Sequence, residues 1–216
     1  MRIAPVLLLT SITIPSPSFA ENKADAAAIT ASPPSLSATR PYKVSEDREG
    51  CTNFDALRRP HFGDTHVHTA WSFDANSQDT RNKPEDAYRF AKGGRMGIQP
   101  YDDNDQPMRT VQLDRPLDFT AVTDHSEFMG EMRMCNTEGS PGYWHPICIA
   151  HRHLPQLSFG TFAAYGLAGK QRWGFCGDDN EECFAAAADT WKDVQFAAEQ
   201  AYDRSSECVF TSFVGY

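Results

Sequence analysis

Beyond Cys51 the apolar positions fall into two recurring periods, and their order along the chain predicts a layered α/β arrangement. Residues Phe62 to His68 alternate in character behind a Gly-Asp pair and predict a strand. Lys83-Pro84-Glu85-Asp86 marks a helix start, with proline in the first turn and acids suited to the helix dipole; Ala87, Phe90 and Ala91 supply the apolar face and Gly93-Gly94 the stop. Ile98 to Leu113 predicts an inserted hairpin around Asp102-Asp103-Asn104-Asp105. Leu117 to Val122 is nearly continuously apolar, as expected of a strand covered on both faces. Gly139 to Pro146 predicts a loop. Glu181 to Arg204 predicts a long helix in which Trp191, Val194, Ala198, Ala201 and Tyr202 form a core stripe, and Cys208 to Tyr216 predicts a further strand. Strand, helix, strand, helix, strand is the grammar of a parallel sheet or barrel. A strand with nothing after it leaves an edge unpaired, so the sequence is expected to be the N-terminal part of a longer domain.

The first residues change the picture of where the protein works. Arg2 precedes the apolar run Ile3 to Leu9, and Ser18-Phe19-Ala20 fits the small-x-small rule of signal peptidase, so residues 1–20 are expected to be a cleaved export signal. The run is too short and too interrupted by Pro5, Pro15 and Pro17 to span a bilayer, and no stable membrane association is expected. The protein is therefore expected to be periplasmic or secreted. From Glu21 to Gly50 the composition is Ala, Ser, Pro, Lys and Glu without hydrophobic period, which predicts a flexible leader; ordered sequence is expected from Cys51 to Tyr216.

Loss of Arg2 with the signal makes the formal net charge of −9 one unit more negative. An acidic surface repels a phosphate backbone, and no basic run with interleaved aromatics occurs, so nucleic acid is not an expected partner. Cys51, Cys135, Cys148, Cys176, Cys183 and Cys208 form an even set in a chain bound for an oxidising compartment, where disulfides are the default. The short separations predict Cys135 with Cys148 and Cys176 with Cys183. Zinc thiolate ligation is the rival, but no C-x-x-C knuckle supports it.

The candidate chemistry begins at Asp64-Thr65-His66-Val67-His68, which on a strand sends Asp64, His66 and His68 to one face, roughly 6 to 7 Å apart. Two imidazoles on one face can share a metal, and Asp64 is placed to accept a ring proton and fix a tautomer. His125 ends the second apolar strand, where side chains of α/β folds converge above the carboxyl edge of the sheet, with Asp124 beside it as a candidate orienter.

These two stretches, Asp64-Thr65-His66-Val67-His68-Thr69 and Thr123-Asp124-His125, resemble the D-x-H-x-H-[TS] and T-D-H motifs of the PHP family, named for polymerase and histidinol phosphatase. The surrounding pattern, with Phe62-Gly63, Ser72-Phe73-Asp74-Ala75, Pro84-Glu85-Asp86-Ala87-Tyr88 and Arg115-Pro116-Leu117-Asp118-Phe119, looks like an exported bacterial branch of unknown function, and the resemblance runs from Cys51 to Tyr216. It implies a distorted β/α barrel, incomplete in this chain, and hydrolysis of phosphate esters on more than one divalent metal ion. His66 and His68 would hold one metal, Asp74 would stand where the family's phosphatases often have histidine, and His125 would bind a neighbouring metal. The oxygen ligand favours a harder ion, such as manganese or iron, over zinc. The bridging Glu, further histidines and late D-x-H of the pattern are missing, so residues after Tyr216 are expected to supply them and the isolated stretch is expected to be inactive.

The expected function is a metal-dependent hydrolase, a phosphoesterase in the first instance, in which metal-bound hydroxide attacks a small-molecule ester. Hydrolysis of a sulfate ester or C–N bond, or an exported metal-binding module without turnover, are the alternatives. No catalytic group beyond the metal ligands is identified. His61, His145, His151 and His153 are expected to be structural or exposed, since His151 and His153 on a helix would point roughly 200° apart. Glu127 is close enough to His125 to touch the site, and equally suits a helix start. The Asp102 to Asp105 run lacks EF-hand spacing and is expected to be a solvated turn.

Overall fold

The computed structural model describes residues 48–55, 57, 59–168 and 172–216. The expected signal at residues 1–20 lies outside the described residues, as does all but the end of the leader at 21–50. Along the chain run β1 (Gly63–Val67), α1 (Phe73–Asn76), α2 (Pro84–Ala91), β2 (Met96–Tyr101), β3 (Pro107–Val111), β4 (Phe119–Val122), α3 (Met129–Asn136), α4 (Pro146–His153), α5 (Pro155–Phe162), α6 (Glu181–Ala201) and β5 (Thr211–Val214). A π-helical turn (Ala163–Ala168) and a 3-10 turn (Gly174–Cys176) lie between α5 and α6.

The fold is mixed α/β. Strands β1, β4 and β5 form an all-parallel sheet in the order β1-β4-β5, while β2 and β3 form a separate antiparallel hairpin. The resemblance implies a barrel incomplete in this chain; among the described residues these three parallel strands are shown, and a closed barrel is not. Three parallel strands leave both outer edges without a partner strand, so closure needs strands that the described residues do not contain.

Local sequence explains the elements that position the site. Pro84 begins α2 with its φ already helical, and the Asp86 carboxylate accepts from the Lys83 backbone N–H at 3.0 Å. The helix stops because Gly93 takes φ +86°, a conformation that would strain any side chain. Tyr88 and Ala91 of α2, and Ala197, Ala198 and Ala201 of α6, bury Val122 of β4 together with Phe210. The buried Tyr88 hydroxyl donates to the Phe213 carbonyl at 2.9 Å and accepts from Val122 N–H at 3.3 Å, joining this packing layer to β4 and β5. Close helix packing also constrains α3: a Cβ on Gly130 would stand 2.0 Å from the Cys183 carbonyl of α6.

The second core holds Phe73, Phe128, Met132, Met134, Ile147, Phe162 and Phe175 around the Cys135–Cys148 and Cys176–Cys183 disulfides, as the short separations predict. A third disulfide, Cys51–Cys208, ties the beginning of the described chain to the segment before β5. No helix among the described residues is long and apolar enough to cross a membrane.

The hairpin, α2, β4, α6 and β5 fall where the hydrophobic pattern predicts, with β4 and β5 shorter than their apolar runs. The short helices α1, α3, α4 and α5 are not legible in the pattern. One or two turns give too few periods, and α3 buries nearly every residue, including Gly130 and Glu131, so it has no polar face to alternate with. The acidic hairpin turn satisfies itself: Asp102 accepts from Asn104 and Gln106 N–H at 2.9 and 2.8 Å, and Asp105 pairs with Arg81.

Candidate metal centre

The site lies at the carboxyl edge of the parallel sheet, and two local features build it. The first is a bulge in β1. Asp64 pairs with Thr120 and Val67 with Val122, so two residues, Thr65 and His66, stand opposite Ala121 alone. The bulge frees the His66 N–H, which donates to the Asp64 carboxylate at 2.9 Å. The Thr123 hydroxyl then accepts from Val67 N–H at 3.2 Å and repairs the pairing above it.

The second feature is a clamp between the ends of β1 and β4. Asp124 is fully buried and accepts from the Thr69 backbone N–H at 2.5 Å and the Thr69 hydroxyl at 2.7 Å. Burial raises the Asp124 pKa and the two Thr69 bonds oppose the rise. The clamp fixes residue 69 beside residue 124, which brings their neighbours His68 and His125 together with ring centroids 5.0 Å apart.

Asp74 enters from the first turn of α1. One carboxylate oxygen accepts from the Ser72 hydroxyl at 2.5 Å and from Ala75 N–H at 2.7 Å. The other stands 2.8 Å from His68 Nδ1 and 3.6 Å from His125 Nε2. Burial works to raise the Asp74 pKa, but the bonds from Ser72, His68 and Ala75 outweigh it and hold the carboxyl below its ordinary value. Ser72 oxygen also accepts from His125 N–H at 3.0 Å, so a single buried hydroxyl registers the α1 turn against the end of β4. The far side of the His125 ring meets Glu127, with Nδ1 3.2 Å from a carboxylate oxygen.

Of the residues predicted from sequence, His68, Asp74 and His125 come together, with one potential ligand atom from each all within 4.8 Å of one another. His66 sits beside them, its ring centroid 4.8 Å from that of His68, on the exposed strand and outside that group. Asp64 and Asp124 do not orient histidine rings as expected. Asp64 is taken by the N–H that the bulge exposes, and the buried Asp124 carboxylate is taken by the backbone N–H and hydroxyl of Thr69. Glu127 makes the ring contact expected of them. It stands two positions beyond His125 in the turn before α3, and that closeness in sequence is the signal it carries; the part of Ser72 has no comparable mark in the sequence.

Thr123, Ser126 and Tyr216 join His66, His68, Asp124, His125 and Glu127 around a cleft of about 460 Å³ beside His68 and His125. The other histidines are elsewhere. His145 caps α4, accepting from Ile147 N–H, and His151 is buried between Asn76 and Ser158. Glu131 lies close to Cys176 and Cys183, but those sulfurs form a disulfide and the carboxylate is held by Arg172 at 2.7 and 2.8 Å, so the cluster has no free thiolate for an ion.

The family model that matches the chain, over residues 55–216, is described as a protein of unknown function, DUF3604. The chain belongs to the DUF3604 family. This finding corrects the resemblance to the PHP family, because the match covers the two histidine motifs and the strands that carry them, yet it is to DUF3604. Short motifs of histidine and aspartate at strand ends report a local rim geometry that different families can share, and so do not by themselves decide membership. No curated protein and no solved structure matches this DUF3604 chain.

Proposed function

We propose that this DUF3604 protein is a divalent-metal-dependent hydrolase acting on a small-molecule ester. The observation that carries the reading is the convergence of His68, Asp74 and His125 from the ends of β1 and β4 and the start of α1. The donor set of two imidazoles and a carboxylate, with room for solvent in the adjoining cleft, is that of an open catalytic site rather than a closed structural one. Ligand atoms tetrahedral about zinc lie about 3.3 Å apart. The 3.6 Å separation at His125 suits this, while the 2.8 Å hydrogen bond at His68 must open by about half an ångström and give up its proton.

Zinc, manganese and iron all accept such a donor set. Once bound, the cation supplies a Lewis acid that activates water and takes up negative charge developing on the ester. The chain's own residues do the positioning: Ser72 and Ala75 aim Asp74, and the Asp124–Thr69 clamp sets the spacing of His68 and His125. His66, at the mouth of the same cleft, is available to a second ion or to substrate. A phosphate ester is the first substrate class to test, followed by sulfate esters and C–N bonds, since the same activated water attacks each polarised centre.

In this reading β1, β4 and β5 are an arc of a β/α barrel, supported by their parallel order and by the position of the site on the carboxyl rim. The disulfides support a periplasmic or secreted setting. The test is titration of zinc and manganese into the metal-free protein, alongside a panel of phosphate, sulfate and amide substrates. Stoichiometric binding that Asp74→Asn and His125→Ala each weaken at least tenfold is expected of this chain, and chelator is expected to abolish hydrolysis wherever the substrate panel detects it. Hydrolysis that persists undiminished without metal, or wild-type protein that takes up no ion, would overturn the reading.

A further inference from the structure

We propose that Glu127 sets the tautomer of His125, holding the ring proton on Nδ1 so that Nε2 presents its lone pair to a bound cation. The proposal rests on the metal-site reading above and adds a positioning residue to it. A neutral imidazole carries a single ring proton, and only the bare nitrogen can be a ligand. The two nitrogens of His125 face different carboxylates, Nδ1 toward Glu127 at 3.2 Å and Nε2 toward Asp74 at 3.6 Å.

Competition between the two carboxylates decides where the proton goes. The Asp74 oxygen nearest Nε2 already bonds His68 at 2.8 Å, and its other oxygen is filled by Ser72 and Ala75. Glu127 offers the shorter contact to His125, from the side of the ring away from the three ligand atoms. The ring stands between the two carboxylates and beside Phe73, whose ring centroid lies 5.5 Å from that of the imidazole. Among the described residues Glu127 is the partner recorded for Nδ1, and a free imidazole side chain leans to the Nε2–H form, which blocks the ligand position. A carboxylate behind a ligating histidine typically contributes ten- to a hundredfold in metal affinity.

A simpler role for Glu127 is as a negative charge just before α3 (Met129–Asn136), where it would favour the helix dipole. The experiment separates the two roles. Protein labelled with nitrogen-15 in its histidine rings is examined by long-range proton–nitrogen correlation, which separates the two neutral ring forms from each other and from the protonated ring. The signal of His125 is assigned by its loss in His125→Gln. Wild type and Glu127→Gln, whose amide oxygen still accepts from Nδ1–H, are expected to show the Nδ1–H form, and Glu127→Leu the Nε2–H form.

Zinc titration should follow the same order, with Glu127→Gln within a few-fold of wild type and Glu127→Leu weaker by about ten- to a hundredfold. An Nε2–H ring in the wild type, or an unchanged tautomer in Glu127→Leu, overturns the assignment. Loss of thermal stability shared equally by the Gln and Leu variants, with the ring form unaltered, would leave only the dipole role. Failure of the metal reading looks different. The wild type would then take up no zinc, while the tautomer would still respond to Glu127→Leu and uphold its hold on the ring.

Discussion

Acidification is predicted to unlock the helical layer behind the site through His151. This imidazole is 1 % exposed and bridges three helices: Nε2 meets the Asn76 side-chain oxygen of α1 at 2.5 Å and Nδ1 the Ser158 hydroxyl of α5 at 2.8 Å. The Asn76 amide nitrogen donates to the Ala70 carbonyl, so its oxygen must face the ring, and Nε2 carries the proton of a neutral imidazole. Burial, and secondarily the charge of Arg152, push the His151 pKa down from 6.5 to about 4. Between those values the unfolded chain holds a proton that the folded one lacks. The stabilisation is therefore complete above about pH 6.5 and is lost as pH falls toward 4. Linkage through this one group gives a loss of about 2 kcal/mol by pH 5 and about 3 kcal/mol by pH 4. The perturbation to compare is His151→Gln, which can still donate to the Asn76 oxygen but cannot titrate, while the Ser158 hydroxyl keeps its own acceptor in the Pro155 carbonyl at 2.8 Å. Urea unfolding of both proteins, followed by tryptophan fluorescence between pH 7 and 4, should show the wild type losing about 3 kcal/mol more than the variant. Parallel loss in the two proteins would refute the reasoning, because other acid-sensitive groups are common to both.

Two further predictions concern stability. Arg172→Ala should cost about 3 to 5 kcal/mol, because it strands Glu131, 0 % exposed and with its pKa raised by burial against the pull of Arg172, without its partner. Paired replacement by Arg172→Met and Glu131→Leu should recover most of that loss in a chemical denaturation series, and a double variant as unstable as the single one would contradict it. Among the disulfides, Cys51–Cys208 closes a sequence separation of 157 and Cys176–Cys183 one of 7, for which loop-closure entropy predicts about 5 and about 2.4 kcal/mol respectively. Paired cysteine-to-alanine variants, ranked by denaturation midpoint, should show the greater loss for Cys51 and Cys208; the reverse order would mean that packing of the buried Cys176–Cys183 pair outweighs chain entropy.

Periodicity along the chain was sufficient for the long elements. The α6 stripe repeats often enough to be read, and the apolar run of β4 declares a strand covered on both sides because both faces of it are in fact buried. The residue types and spacing of His66, His68 and His125 likewise announced histidines at strand ends, and the two short-range disulfides followed from proximity in sequence. The family did not follow from those motifs, since a few residues at a rim constrain local chemistry far more tightly than ancestry.

What needed the tertiary structure was every relation that depends on which backbone groups are left over once the strands have paired. The bulge at Thr65 and His66 diverts Asp64 to a backbone N–H; burial turns Asp124 into a clamp on Thr69; the short α1 helix delivers Asp74 to His68; and Glu127 reaches His125 from behind. A sequence lists donors and acceptors, but partners are assigned by competition in three dimensions, where an unpaired buried group costs more than a local preference can return.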